Sequence, residues 1–262
     1  MHPQDVQYLN LPWADSLDLA GRELVSLVGA GGKTSLMLAL AQELALAGQR
    51  VIITTTTHIW RPEVEVVQVA TAGAALEALG GRPWPGEVVC LASGEEEVAG
   101  RAKLRGLAPE EVDRLWLEGA AEYVLVEADG ARGCSIKAPR AHEPVIPAES
   151  TVLVGLIGLA ALGKPLDGEQ AFNPDLVAEL TGLEVGQNLT PEATAGLVLH
   201  PEGLFKGAPE AARRILFLNG SDLPGTREQA LELLQRLGPS RTGLRALIAS
   251  VLTGYREVFD LA

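Results

Sequence analysis

Only two cysteines occur in 262 residues, Cys90 and Cys134, which excludes a disulfide framework, and neither sits in a C-x-x-C pair. Val88-Val89-Cys90-Leu91 reads as a buried strand, whereas Cys134 lies in a glycine-flanked loop. No group of residues has zinc-ligand spacing, and no nucleophile–histidine pair can be assigned. Basic residues are the minority: 21 Lys and Arg stand against 34 Asp and Glu, a net charge of −13. Such a surface repels a phosphodiester backbone and argues against a general nucleic-acid binder. It does not argue against a nucleotide, because a glycine-rich loop supplies positive potential locally. Long apolar runs are also missing. Val152 to Leu162 is too short to span a bilayer and is interrupted by Gly155 and Gly158, so no membrane association is expected. Met1 to Asn10 has neither a basic nor an apolar signal region, and the expected setting is the cytoplasm.

What the chain has is alternation. Strand-like runs at 24–29, 51–56, 87–92, 122–128, 151–157, 214–219 and 245–252 alternate with helix-like runs at 33–47, 71–79, 109–119, 174–181, 191–198 and 226–237. This order predicts an α/β fold, a mainly parallel sheet flanked by helices, of the P-loop NTPase-like kind. Asn173-Pro174 and Thr190-Pro191 each join a good N-cap to proline at the first helical position. A single domain over 1–262 is expected. Within it, 160–212 is rich in Gly and Pro, holds two short helices without an obvious strand, and reads as a helical insertion or lid. There are no repeats and no low-complexity tracts.

The most informative stretch is 24–35, LVSLVGAGGKTS. An apolar strand breaks at Gly29-Ala30-Gly31-Gly32 and resumes as a helix at Lys33-Thr34-Ser35. Glycines let backbone amides approach an anion without Cβ interference, and the unsatisfied amides of a first helical turn point at it. Lys33 adds a point charge for outer phosphates, and the Thr34 hydroxyl suits Mg²⁺. The common P-loop has another glycine where this chain has Leu27, so the motif here is a shortened G-x-x-G-K-T. The helix to Ala47, Gly48 beyond it and the β-branched run from Val51 complete a strand–loop–helix–strand unit.

Further groups belong at the same sheet edge. Tyr123 to Gly130 is an apolar strand that ends in Glu127, Ala128 and Asp129, so both carboxylates fall at its carboxyl end, where ligands of open α/β sheets bind. Two residues apart in an extended segment, Glu127 and Asp129 share a face and are expected to address one Mg²⁺ shell together with Thr34. Arg214 to Asp222 ends in Asn219-Gly220-Ser221-Asp222, which has the spacing of the N-K-x-D base-recognition motif of GTPases, with glycine in place of lysine. Asn219 and Asp222 are the candidate base contacts, and an ordinary Asn-Gly turn explains the same spacing. Thr57 and His58 close the run Thr54–His58. Arg132, Lys137, Arg140 and His142 lie with Glu143 on a proline-held loop, a local positive patch in an acidic chain. Thr57, His58, Arg132, Lys137, His142 and Glu143 are the candidate clamp for a γ-phosphate or an anionic substrate; a solvated loop is the alternative.

Val28–Thr34, Thr54–His58, Leu125–Gly130, Lys137-Ala-Pro and His142–Pro147, with His200–Gly203 and Lys206-Gly207, together resemble the YqeC family over most of residues 20–220. The resemblance implies a P-loop nucleotide-binding fold. It also implies an accessory role toward selenium-dependent molybdenum hydroxylases, linked to selenium-cofactor biosynthesis, with such a hydroxylase or its cofactor as partner. Three functions are therefore expected candidates. The first is a Mg²⁺-dependent nucleoside triphosphatase that uses ATP or GTP, with Lys33, Glu127 and Asp129 as catalytic groups and Gly29, Ala30, Gly31, Gly32, Lys33, Thr34 and Ser35 around the phosphates. The second is an ATP-dependent ligase or phosphotransferase acting on a small anionic acceptor, since the shortened loop also resembles that of Mur-type ligases. The third is a nucleotide-binding, chaperone-like module without significant turnover.

Overall fold

A computed structural model describes residues 8–80, 84–238 and 243–261. The chain opens with β1 (Tyr8–Leu9), a single turn α1 (Trp13–Ser16), β2 (Glu23–Gly29), α2 (Lys33–Leu46), β3 (Val51–Thr55), β4 (His58–Trp60) and β5 (Glu65–Gln68). It continues through α3 (Ala72–Leu79), β6 (Val88–Ala92), β7 (Gly94–Val98), β8 (Arg101–Arg105), α4 (Pro109–Leu117), β9 (Tyr123–Glu127) and β10 (Ile136–Lys137). The remainder comprises β11 (Val152–Gly158), β12 (Ala171–Phe172), α5 (Pro174–Thr181), α6 (Pro191–Leu199), β13 (Arg213–Asn219), α7 (Thr226–Leu237), β14 (Leu244–Ala249) and β15 (Arg256–Leu261).

Ten strands form one sheet in the order β1-β15-β14-β13-β11-β2-β9-β3-β6-β5, parallel from β14 to β5, with β15 antiparallel at one side. The central strands are apolar at nearly every position because both faces are covered. In β2, Val25 and Leu27 pack with Leu36, Met37 and Leu40 of α2. On the opposite face Leu24 joins the core under α3 and α4, and Val28 joins the core under α6 and α7. The chain leaves β2 toward β3 on one side and later adds β11 on the other. The carboxyl end of β2 therefore lies at a topological switch point, where the crevice of such sheets opens.

Every expected strand and helix forms, with bounds shifted by a few residues at most; the largest shift is in the last of these strands, β14, which stops at Ala249 rather than 252. The region 160–212 differs from expectation. It contains a strand, β12, which pairs in parallel with β10, and it is itself the crossover from β11 to β13. Its α6, with Leu204 and Phe205, covers the sheet beside α7 and so forms part of the core layer. A second departure is the three-stranded antiparallel sheet β4-β8-β7 beside the main one. Its β7 reads Gly-Glu-Glu-Glu-Val and is mostly exposed, so it lacks the alternation that marks a half-buried strand. Two left-handed residues, Ala99 and Gly100, make the hairpin turn between β7 and β8, and Leu104 and Ile59 anchor the unit in the core under α2. The edge strand β5 and the antiparallel β15 also carry no expectation from the sequence. Among the described residues no helix is long and apolar enough to cross a membrane.

At the amino ends of β3 and β9, Arg50 grips Glu122 through a bidentate pair, with Nη2 to Oε1 at 2.6 Å. The guanidinium hydrogen bond lowers the Glu122 carboxyl from 4.5 to about 2, against the opposing pull of burial. A depressed folded pKa adds stability that is complete above the ordinary value and disappears as pH falls through the folded one. Glu122→Gln is therefore expected to cost about 0.5–1 kcal/mol at neutral pH, solvent screening included. It should also flatten the loss of stability between pH 4.5 and 2. Urea denaturation across that range checks this; wild-type and variant curves that stay parallel would contradict it.

Candidate functional site

The turn after β2 is shaped by three close backbone approaches. Ala30 N–H donates to Leu156 O of β11 at 3.0 Å, which draws the turn over the end of that strand. Gly31 (φ +91°) then lies against Gly158, where an added Cβ would stand 2.3 Å from the Gly158 nitrogen. Gly32 (φ +118°) leaves room for Asn219, whose Nδ2 donates to Gly31 O at 2.8 Å. Asn219 Oδ1 in turn accepts from Val251 N–H at 3.1 Å. Gly32 caps α2 without a side-chain acceptor, and among the described residues the amides of Gly31 through Ser35 have no protein acceptor. The result is a helix amino terminus whose amides are left open, the arrangement that attracts anions.

Beneath the turn, four buried or half-buried charges form a chain. Lys33 Nζ donates to Gly29 O at 2.5 Å and pairs with Asp129 Oδ1 at 3.1 Å. Asp129 Oδ2 accepts from Gly29 N–H at 3.1 Å and pairs with Lys137 Nζ at 3.1 Å. Lys137 reaches on to Glu143 Oε2 at 3.0 Å and donates to Gly130 O at 2.7 Å. Burial alone would raise the Glu143 carboxyl, but the Arg140 N–H and the Lys137 ammonium hold it below the ordinary range. Glu127 takes a different partner: it accepts from Thr34 Oγ1 at 2.6 Å. Burial, only partly opposed by Lys33 and Thr34, pushes its carboxyl above the usual range.

The two carboxylates expected to share one shell thus take different partners. β9 ends at Glu127, and the backbone then turns so that Asp129 points under the glycine turn, where two lysines and an amide occupy it. The oxygen donors that remain together are Thr34 and Glu127. They suit a hard cation such as Mg²⁺, which binds few protein oxygens and keeps the rest of its shell for water and phosphate.

Above these groups lies a cleft of about 660 Å³. Of the residues singled out in the sequence, Gly31, Gly32, Lys33, Thr34, Ser35, His58, Glu127, Arg132 and Asn219 line it. Gly29 and Ala30 shape the turn from behind. Thr57 is half-buried and bonds back to Thr55, with its N–H donating to Thr55 Oγ1 at 3.0 Å. Lys137 is 2% exposed with Glu143 as its partner, and neither lines the cleft. His142 and Asp222 are exposed outside the cleft lining. Sequence reasoning missed the wall made by the small antiparallel sheet, where Trp60 and Lys103 face the cleft beside His58. Trp60 is 40% exposed, with the Arg101 guanidinium 4.4 Å from its ring centre. Its signal was a large aromatic next to Thr-Thr-Thr-Thr-His, which propensity alone places in a strand.

The YqeC protein family profile matches residues 25–175, from β2 through the glycine turn, the acidic strand end and the ion chain to the start of α5. The chain belongs to the YqeC family. A relative from Escherichia coli (strain K12), described as "Uncharacterized protein YqeC", is 35% identical over 229 residues, 86% of this chain and 88% of that protein. No solved structure matches. In this YqeC-family chain the tightest constraint on the site is Gly31. Gly31→Ala forces a Cβ onto the Gly158 backbone at a left-handed φ, and is expected to cost about 3 kcal/mol of folding stability. Chemical denaturation measures this, and a cost below about 1 kcal/mol would show that the turn relaxes freely.

Proposed function

We propose that this YqeC-family protein is a Mg²⁺-dependent nucleotide-binding protein that hydrolyses a nucleoside triphosphate. In that role it would serve as an accessory factor in the maturation of selenium- and molybdenum-dependent hydroxylase cofactors. The open run of amides from Gly31 to Ser35, with Lys33 and Thr34 inside it, carries the nucleotide reading. Phosphate oxygens are the acceptors such a run lacks, and Lys33 supplies the point charge for the β- and γ-phosphates. Bound Mg²⁺ would supply charge neutralisation on those same phosphates, with Thr34 and Glu127 as the residues that hold it. The link to hydroxylase maturation rests on the family resemblance, as does the partner, a hydroxylase or its cofactor.

Both ATP and GTP remain candidates. The amide of Asn219 is engaged with Gly31 and Val251, and Asp222 lies outside the cleft lining, so neither favours one base over the other. Gly220 stands at φ +101° where a GTPase-like motif has lysine.

One observation favours a second reading, an ATP-dependent ligase or phosphotransferase with a small anionic acceptor. The cleft continues past the glycine turn to Lys103 and Arg132, and no ion-pair partner faces either among the described residues. In a chain of net charge −13, two such cations beside the γ-phosphate position would draw an anion.

Lys33→Ala tests the nucleotide reading. It is expected to weaken Mg²⁺–triphosphate binding by about a hundredfold and nucleoside binding little, since the lost contact is to phosphate. Thermal shift with ATP, GTP and their nucleosides reads both affinity and base preference. Equal triphosphate affinity of wild type and variant would overturn the reading. Phosphate release from nucleotide alone supports the hydrolase, release only with an added acceptor supports the transferase, and binding without turnover supports a chaperone-like module.

A further inference from the structure

Lys137 is among the largest fully buried side chains in the described protein. A buried ammonium is costly and persists only where all its donors are met. Here the ammonium donates to Gly130 O at 2.7 Å and is ion-paired with Asp129 Oδ2 and Glu143 Oε2 at 3.1 and 3.0 Å, three acceptors for three donors. Nothing is left over for a ligand, so Lys137 does not act by touching one.

Its position suggests how it acts instead. Asp129, 1% exposed, lies between two ammoniums, with Lys33 on Oδ1 and Lys137 on Oδ2. Were Asp129 paired with Lys33 alone, its negative charge would cancel the field that Lys33 presents to the cleft. With Lys137 on the far side, two ammoniums face two carboxylates, and Glu143, the outermost carboxylate, contacts Lys137 and not Lys33. Resting on the nucleotide reading above, we propose that Lys137 is a positioning residue that neutralises Asp129, so that the charge of Lys33 stays available to a bound phosphate. Through Glu143, the segment that precedes β11 then sets the strength of that field.

The sign of the effect separates this role from simple structural support. Lys137→Met leaves Asp129 to Lys33 and is expected to weaken Mg²⁺–triphosphate affinity by about tenfold, with nucleoside affinity unchanged. Glu143→Gln keeps the shape and an acceptor for Lys137 but removes one negative charge, so it should tighten triphosphate binding by about threefold. A residue that only held the loop together would weaken binding in both variants. Isothermal titration with a non-hydrolysable triphosphate and Mg²⁺, on wild type and both variants, reads the three affinities. Opposite shifts support the proposal. Weakening in both, or no change in either, overturns it while leaving the nucleotide reading intact. If Lys137→Met does not fold, Glu143→Gln decides alone: tighter binding supports, and equal or weaker binding overturns. A wild type that binds no triphosphate overturns the nucleotide reading, and the proposal with it.

Discussion

The backbone of Gly31 rests on that of Gly158, and this contact between the end of β2 and the end of β11 organises the rest of the site. It forces the chain into a left-handed turn that only glycine enters cheaply, and so leaves the amides from Gly31 to Ser35 without an acceptor among the described residues. Asn219 at the end of β13 locks the same turn from above, and Asp129 after β9 holds Gly29 from below. Three neighbouring strands therefore converge on one loop, and the parallel sheet acts as the rigid frame that keeps those amides in place.

Electrostatics explain how an acidic protein could present the proposed anion site. The site does not depend on net charge: it combines partial charges from amides with Lys33, and it buries the compensating carboxylates beneath the turn. Low local dielectric makes this a stringent arrangement, because each buried charge must keep its partner. It also divides labour between the two acids of β9 and the turn after it. Asp129 serves the lysines, and Glu127 serves Thr34 and the cleft.

Much of this was legible in the sequence. The apolar runs at 24–29, 122–128 and 151–157 name the three central strands, and Gly-Gly-Lys-Thr names the turn that leads from the first of them into α2. Two things were not. Alternation cannot reveal β7, whose Glu-Glu-Glu faces solvent, so the wall with Trp60 and Lys103 stayed hidden. Spacing cannot show where the backbone turns after Glu127, so Asp129 was expected beside it in a metal shell rather than beneath the glycines. The loop 132–143 was legible as unusual, but its lysine is inverted relative to expectation: it faces inward, to Asp129 and Glu143.

The open amides after β2 are where the proposed phosphate would sit. Backbone amide chemical shifts of the ¹⁵N-labelled protein, recorded as a non-hydrolysable triphosphate and Mg²⁺ are added, test this most directly. The largest shifts should fall on Gly31 through Ser35, with smaller ones at Glu127 and Asn219 and none at the opposite sheet edge around Arg213 and Leu244. Saturable shifts elsewhere with Gly31 to Ser35 unmoved would contradict it.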